Sequence, residues 1–413
     1  MSSHSLFFAK IASIRHAIHE NPELGFQEFK TQALIEEFLV NEAQIPRENI
    51  KHCATTGLVV DIHGPAEGEK TARLTCIAFR GDMDALPMTE HNPHLEYQSK
   101  VVKAAHMCGH DGHTASLMGF AALLSKRRHL LPPHTVVRLL FQPAEEGRFG
   151  APAMIKDGCL ESVEEVYGYH NAPFPLGVVA TKAGPLLAHA SRFKIVISGP
   201  GGHGSAPHVT KDPIVAAGQI ILAVQSIASR SISPHEGAVI SITKVHGGEA
   251  DNVIPSQVTL SGTTRDFSVD VQAIIRERMT TIVHCTCAAY GVTATVNFVD
   301  GYPVVVNDAT AANIVLQVAE QVVGKANVTS DGLPKMYSED FSYYLHERPG
   351  CFFLIGTASE SETQNRECHS DTYDFNDAIL PIAAGMFLEI VNNRFSCAVY
   401  APEELAQITQ ALA

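Results

Sequence analysis

The chain of 413 residues contains no block of basic residues and carries a formal net charge of −14. Nucleic acid and anionic membrane surfaces are therefore not expected partners, although overall charge says little about a small substrate. No apolar run approaches the roughly 18 residues of a membrane span. The start, Met-Ser-Ser-His-Ser-Leu-Phe-Phe, lacks the basic region and long apolar stretch of a signal peptide, so a cytoplasmic location is expected. A paired cysteine framework is missing as well. The nine cysteines are odd in number and scattered, which argues for reduced thiols. There is no internal repeat and no low-complexity segment. The glycine-rich turn at 199–208 has neither the lysine of a Walker motif nor the spacing of a dinucleotide fingerprint, which excludes a phosphate loop.

What the chain does have is residues 105–115, Ala-His-Met-Cys-Gly-His-Asp-Gly-His-Thr-Ala. One thiol, three imidazoles and a carboxylate in so short a stretch read as a metal site. Cys108 and His110 flank a single glycine, so both donors can face one point from a tight loop. The apolar run at 115–124 then has helical periodicity.

Length predicts more than one core. Helices are predicted over 6–20 and 26–43, broken at Asn21-Pro22 and covering a sheet. His16 and His19 share a face of the first and are assigned packing or capping roles. Strands are predicted at 57–62, 74–79, 135–141 and 164–168. The second runs into Arg80-Gly-Asp-Met-Asp-Ala-Leu-Pro87, the third into Gln142-Pro-Ala-Glu-Glu-Gly147, and the fourth into Tyr169-His-Asn171. Ligands of open α/β sheets bind beyond the carboxyl ends of strands, so acidic and imidazole groups arrive where a site would be built. From about 188 to 300 the order becomes β-α-β-β-α-β, the ferredoxin-like pattern of an insert domain. Within it, Cys285 and Cys287 on one helix read as core cysteines. After Pro303 the α/β pattern resumes, with an acidic loop at 338–341 and His369 in a polar loop before a helix. The division is thus a catalytic domain at 1–187 and 301–413, with an inserted domain at 188–300.

Five donors converge on this reading: Cys108, His110, Glu146, His170 and His369. If one bridges, they satisfy two divalent cations about 3.5 to 4 Å apart. Zinc suits the mixture of thiolate, imidazole and carboxylate, with manganese, cobalt or nickel as alternatives. Glu145 need not ligate; a carboxylate beside the attacking water is the general acid/base that amide hydrolysis needs.

Eight motifs occur in a fixed order: Arg15-His-Ala-Ile-His-Glu-Asn-Pro-Glu-Leu-Gly25, Arg80-Gly-Asp-Met-Asp-Ala-Leu-Pro87, Cys108-Gly-His-Asp-Gly-His113, Gln142-Pro-Ala-Glu-Glu-Gly147, Gly201-Gly-His-Gly-Ser-Ala-Pro-His208, Asp251-Asn-Val-Ile-Pro255, Ser338-Glu-Asp-Phe341 and His369-Ser370. With them, almost the whole chain resembles the amidohydrolase branch of the aminoacylase/carboxypeptidase metallopeptidase family. That branch includes N-acyl-amino-acid amidohydrolases, hippurate hydrolases and plant auxin-conjugate hydrolases. The resemblance implies an α/β fold: a mixed-sheet, di-metal exopeptidase-like catalytic domain with an inserted α+β lid that dimerises. It implies the same five ligands, with Cys108 where other branches place a bridging aspartate, and Glu145 as general acid/base. It also implies that His203 meets the oxyanion from the partner subunit. Two departures from the family pattern, Ala105-His106-Met107 before the cysteine and Asp371 in place of a proline, touch no donor and leave substrate choice open.

The reaction expected is cleavage of an N-acyl amino acid to a carboxylic acid and a free amino acid. Asn252 and Arg265 are candidates for the substrate carboxylate, although Arg265 reads equally as a structural ion pair. Asp84, Asp111 and Glu339 are candidates for orienting the ligands. A carboxypeptidase or dipeptidase of the same family shares every site residue and is the alternative. A catalytically silent metal-binding protein is disfavoured by the intact Glu145 and donor set.

Overall fold

The computed structural model describes residues 2–70, 72, 74–358 and 367–412. They form two compact units, one of Met1–Leu186, Val306–Leu333 and Asp340–Ala413, the other of Leu187–Val305 and Pro334–Glu339. Among the described residues no helix is long and apolar enough to cross a membrane.

The first unit is built on an eight-stranded mixed sheet. Its strands lie in the order Ile50–Cys53, Gly57–His63, Val136–Gln142, Cys76–Asp82, Glu165–Pro175, Gly350–Ala358, Val179–Ala180 and Val328–Thr329. The central strands pair in parallel. Cys76–Asp82 is buried at every residue, which explains why its first four residues are an unbroken apolar run rather than an alternating one. Helix His110–Lys126 covers this strand, and helices Ser3–Glu20 and Leu380–Phe395 pack on that helix. The core between them is aromatic: Phe79 meets Phe120 and Phe387, each at a ring separation of 4.9 Å.

The second unit holds a four-stranded antiparallel sheet in the order Ala238–His246, Gln257–Asp266, His189–Ser198, Thr293–Asp300. Helices Pro213–Ala223 and Val269–Tyr290 pack against it. With the two helices inserted after its first and third strands, this is the ferredoxin-like arrangement. Alternation of burial along His189–Ser198 follows from one covered face.

Three local readings change. The helix expected from 115 begins at His110, because its first turn is buried yet polar and carries no apolar period. The strand expected to stop at 168 runs on to Pro175, so His170 lies within a strand rather than past its end. Cys287 is buried but Cys285 is exposed, so only the former is a core residue.

Candidate metal centre

Gly109 sits at φ 94° as the N-cap of helix His110–Lys126. A Cβ there would stand 2.2 Å from Asn171 Oδ1, so both the left-handed backbone and the close approach require glycine. The chain therefore turns sharply between Cys108 and His110. The glutamates follow strand Val136–Gln142 on a comparable turn, with Ala144 at φ 58° and Gly147 at φ 76°. A non-glycine residue held left-handed costs on the order of 1 kcal/mol and persists only where its surroundings fix it. Here Glu28 accepts from the Ala144 N–H at 2.9 Å, and Asp84 accepts from those of Glu145 and Glu146 at 3.0 and 2.9 Å. The loop of His369, itself at φ 68°, is tied to the cysteine loop by its N–H donating to the Met107 carbonyl at 2.6 Å.

All five expected donors come together within the first unit. Cys108 Sγ is 3.4 Å from His170 Nε2 and 3.3 Å from His369 Nε2. Glu146 Oε1 is 3.2 Å from His369 Nε2 and 4.0 Å from His110 Nε2. The donor atoms of Cys108, His110 and His170 lie within 4.8 Å of one another, and so do those of Cys108, Glu146 and His369. Cys108 belongs to both triads. His110, Glu145 and Glu146 form a further group of this kind.

The hydrogen bonds fix which ring nitrogens face the centre. His110 Nδ1 meets the Asp84 carbonyl and carboxylate at 3.0 and 3.2 Å. Oxygens of these types only accept, so Nδ1 carries the hydrogen and the neutral ring presents a lone pair at Nε2. His170 Nδ1 likewise donates to the Asn171 carbonyl at 2.7 Å. His110 Nε2 and Glu146 Oε1 are buried without a well-aligned hydrogen bond. Burying atoms so poorly satisfied is costly, and here they are atoms that would coordinate a cation. Thiolate, imidazole and carboxylate together suit a divalent transition metal.

Electrostatics differ among the donors. Burial, reinforced by His113, holds His170 well below the usual imidazole range. Burial acts against charge on His110 too, but Asp82 and Asp84 outweigh it and raise its pKa. Burial opposes ionisation of Glu146, yet His369 and His110 hold its carboxyl low. The neighbouring thiol of Cys368 and burial push Cys108 up.

The Asp84 carboxylate lies 3.2 Å from His110 Nδ1, where it can orient the ring. Asp111 does not touch a donor: its carboxylate is taken by Arg15 at 3.3 Å and His19 Nδ1 at 2.8 Å, which anchors the first turn of the ligand helix. Glu339 is buried and belongs to the second unit. The sequence reading missed a buried frame behind the centre. His113 bridges Asp82 at 2.6 Å and Asn171 at 2.7 Å. Arg80 joins Asp82 at 2.7 Å to Asp340 at 3.1 Å. The signal for Arg80 was a cation inside an otherwise apolar strand, where only paired charge is tolerated.

In the second unit, His203 is exposed and its Nδ1 accepts from the Ser205 N–H at 3.1 Å. In the neutral ring Nε2 then carries the hydrogen and is a donor. Gly204 N donates to the Asn252 carbonyl at 2.8 Å, which places His203 and Asn252 on adjoining turns. Arg265 donates to Thr263 Oγ1 and to the Thr264 carbonyl. Among the described residues it has no carboxylate partner; burial and then Arg192 lower its pKa.

The family model described as Peptidase family M20/M25/M40 matches residues 78–393. N-acetylcysteine deacetylase of Bacillus subtilis is 38% identical over 385 residues, covering 93% of this chain and 96% of the relative. Thermostable carboxypeptidase 2 of Saccharolobus solfataricus is 38% identical over 378 residues, covering 91% and 92%. Among solved structures, a dinuclear metal-binding peptidase of the M20 family from Bacillus subtilis superposes with a TM-score of 0.79 at 34% identity, covering 95% of this chain and 99% of that one. With a mixed α/β unit, a ferredoxin-like second unit and these similarities along nearly its whole length, the chain belongs to Peptidase family M20/M25/M40, in its amidohydrolase branch.

Proposed function

We propose that this M20-family hydrolase cleaves the amide bond of N-acyl amino acids with two divalent cations held by Cys108, His110, Glu146, His170 and His369. The observation that carries the reading is Cys108 as common member of two donor triads, with Glu145 beside them. When bound, zinc, or manganese, cobalt or nickel in its place, makes water acidic near neutral pH and polarises the amide carbonyl. Glu145 takes a proton from the attacking water and delivers one to the departing nitrogen, so amide and water become carboxylic acid and amine. Its backbone N–H on Asp84 fixes where that carboxylate starts.

The oxyanion needs a hydrogen-bond donor that the five ligands and Glu145 do not supply. His203 of the partner subunit is assigned this role, because its Nε2–H is free of the Ser205 contact and its side chain is exposed. A homodimer through the second unit is part of the reading; Ile214, Val215 and Leu222 on helix Pro213–Ala223 are exposed apolar residues suited to such a contact. Arg265, which has no carboxylate partner among the described residues, and Asn252 would take the substrate carboxylate. A cytoplasmic setting, where thiols stay reduced, suits a thiolate ligand.

The second reading, carboxypeptidase or dipeptidase activity, is supported by the equal identity of a relative named as a carboxypeptidase. A hydrolysis panel of acetyl, benzoyl and long-chain acyl amino acids beside dipeptides and C-terminally blocked peptides separates the two. Release of amino acid from the acyl substrates at higher kcat/KM supports the amidohydrolase. Preference for peptides replaces it with the peptidase.

A further inference from the structure

Cys368 has no part in the reaction above and belongs to neither donor triad. Its thiol donates to the carbonyl oxygen of Cys108 at 3.5 Å, and the next residue donates its N–H to the Met107 carbonyl at 2.6 Å. The two cysteine-bearing segments therefore run against each other. Asn171 Nδ2 donates to Cys368 Sγ at 3.1 Å, which holds the sulfur beside the Cys108 segment. Cys368 is partly exposed whereas Cys108 is buried, so a small oxidant meets Cys368 first. Cys53, by contrast, is buried and donates to the Met154 carbonyl.

From this geometry we infer that Cys368 and Cys108 are a modification site, a thiol pair that peroxide converts to a disulfide, taking the shared sulfur from both donor triads and releasing metal. The inference rests on Cys108 being a metal ligand. The Cys368 sulfur attacks hydrogen peroxide as its thiol proton leaves; the O–O bond breaks, a sulfenic acid forms, and the departing hydroxide takes up that proton as water. Cys108 sulfur then attacks the Cys368 sulfur; the S–S bond forms, the S–O bond breaks, and a second hydroxide is protonated. Two thiols lose two electrons and one peroxide becomes two waters. A disulfide needs sulfurs about 2.05 Å apart. The Cys368 thiol already lies 3.5 Å from the carbonyl oxygen of Cys108, so the two residues are direct neighbours.

The test uses the full chain, loaded with zinc, desalted and treated with a few equivalents of hydrogen peroxide. Non-reduced peptide mass spectrometry and a zinc indicator are read together. The expected product is a linked pair of peptides bearing Cys108 and Cys368, lighter by two hydrogens than their sum, formed in step with zinc release. Dithiothreitol with added zinc should restore the original metal content. Cys368→Ser should begin with wild-type zinc and form no such link. Its zinc loss should resist dithiothreitol, since Cys108 alone proceeds to the sulfinic acid. Zinc release from wild type without the link overturns the inference, as does dithiothreitol-reversible release from Cys368→Ser. Failure of Cys368→Ser to bind zinc before oxidation makes Cys368 a ligand and overturns it too. The ligand reading is judged separately: if Cys108→Ala holds as much zinc as wild type before any oxidant is added, that reading fails, and with it the claim of metal release.

Discussion

Asp84 and His110 meet at 3.2 Å through His110 Nδ1, and the same carboxylate accepts the backbone N–H groups of Glu145 and Glu146. One side chain thus sets the direction of an imidazole and the position of the glutamate turn, although the three elements are far apart in sequence.

Asp84→Asn should therefore weaken metal binding. An amide cannot accept at both ends, so either the His110 ring or a glutamate N–H loses its partner. Loss of such a contact typically costs about 10- to 100-fold in metal affinity. Competition with a chelator of known affinity measures it, and an affinity equal to wild type would show that Asp84 does not orient the site.

Glu145→Gln should keep its metal and its fold while kcat drops by roughly two orders of magnitude or more, since proton transfer is removed and ligation is not. Elemental analysis and steady-state kinetics on the same sample give both numbers. A variant turning over at nearly the wild-type rate would end the assignment of Glu145 as acid/base.

The donors were legible because their types are distinctive and the loops that carry them are short. The frame that aims them was not. Arg15 was quoted only as the first residue of a motif, yet it is fully buried between Asp111, Asp374 and Asp377. Partners so distant in sequence leave no local signal. Asn171 was quoted only as the neighbour of His170, whereas it contacts His113, Cys368 and Tyr373. Hydrophobic periodicity located the sheet and helices but misplaced the ends of those that enter the centre, where buried residues are polar. The ferredoxin-like order of the second unit was readable because its strands and helices keep regular patterns and carry few of these exceptions.

His19 gives the stability a dependence on pH. Burial disfavours its charge, but Asp111 and Glu90 outweigh burial, Arg15 opposes them weakly, and the pKa rises from 6.5 to about 9. The folded state therefore binds the proton more tightly than the unfolded one. The resulting stabilisation is complete below the unfolded value of 6.5 and is lost as pH rises through about 9. It amounts to on the order of 3 kcal/mol, shared with Asp111. Urea denaturation at several pH values should show wild-type stability falling across this interval relative to His19→Gln. Parallel curves for the two proteins would remove His19 from the account.

The proposal that the partner subunit supplies the oxyanion donor is decided by a mixing experiment. Glu145→Gln and His203→Ala subunits, each inactive alone, should regain up to one working site per heterodimer, pairing an intact Glu145 with His203 of the partner subunit. Each lost oxyanion donor typically costs about 10² to 10³ in rate, so the recovery stands well above background. A mixture that stays inactive although exchange of tagged subunits is demonstrated would place His203 in its own chain or outside catalysis.

The contact between His369 and Cys108 spans 261 positions of sequence. At about 5 to 20 residues per second on the ribosome, the thiol waits roughly 13 to 52 seconds for this partner to be synthesised. Throughout that interval the nascent chain offers Cys108, His110, Glu146 and then His170, but never the full set. Maturation of the centre is thereby deferred until translation is nearly complete, and a product truncated before residue 369 lacks a donor of the second triad however well its earlier segments fold.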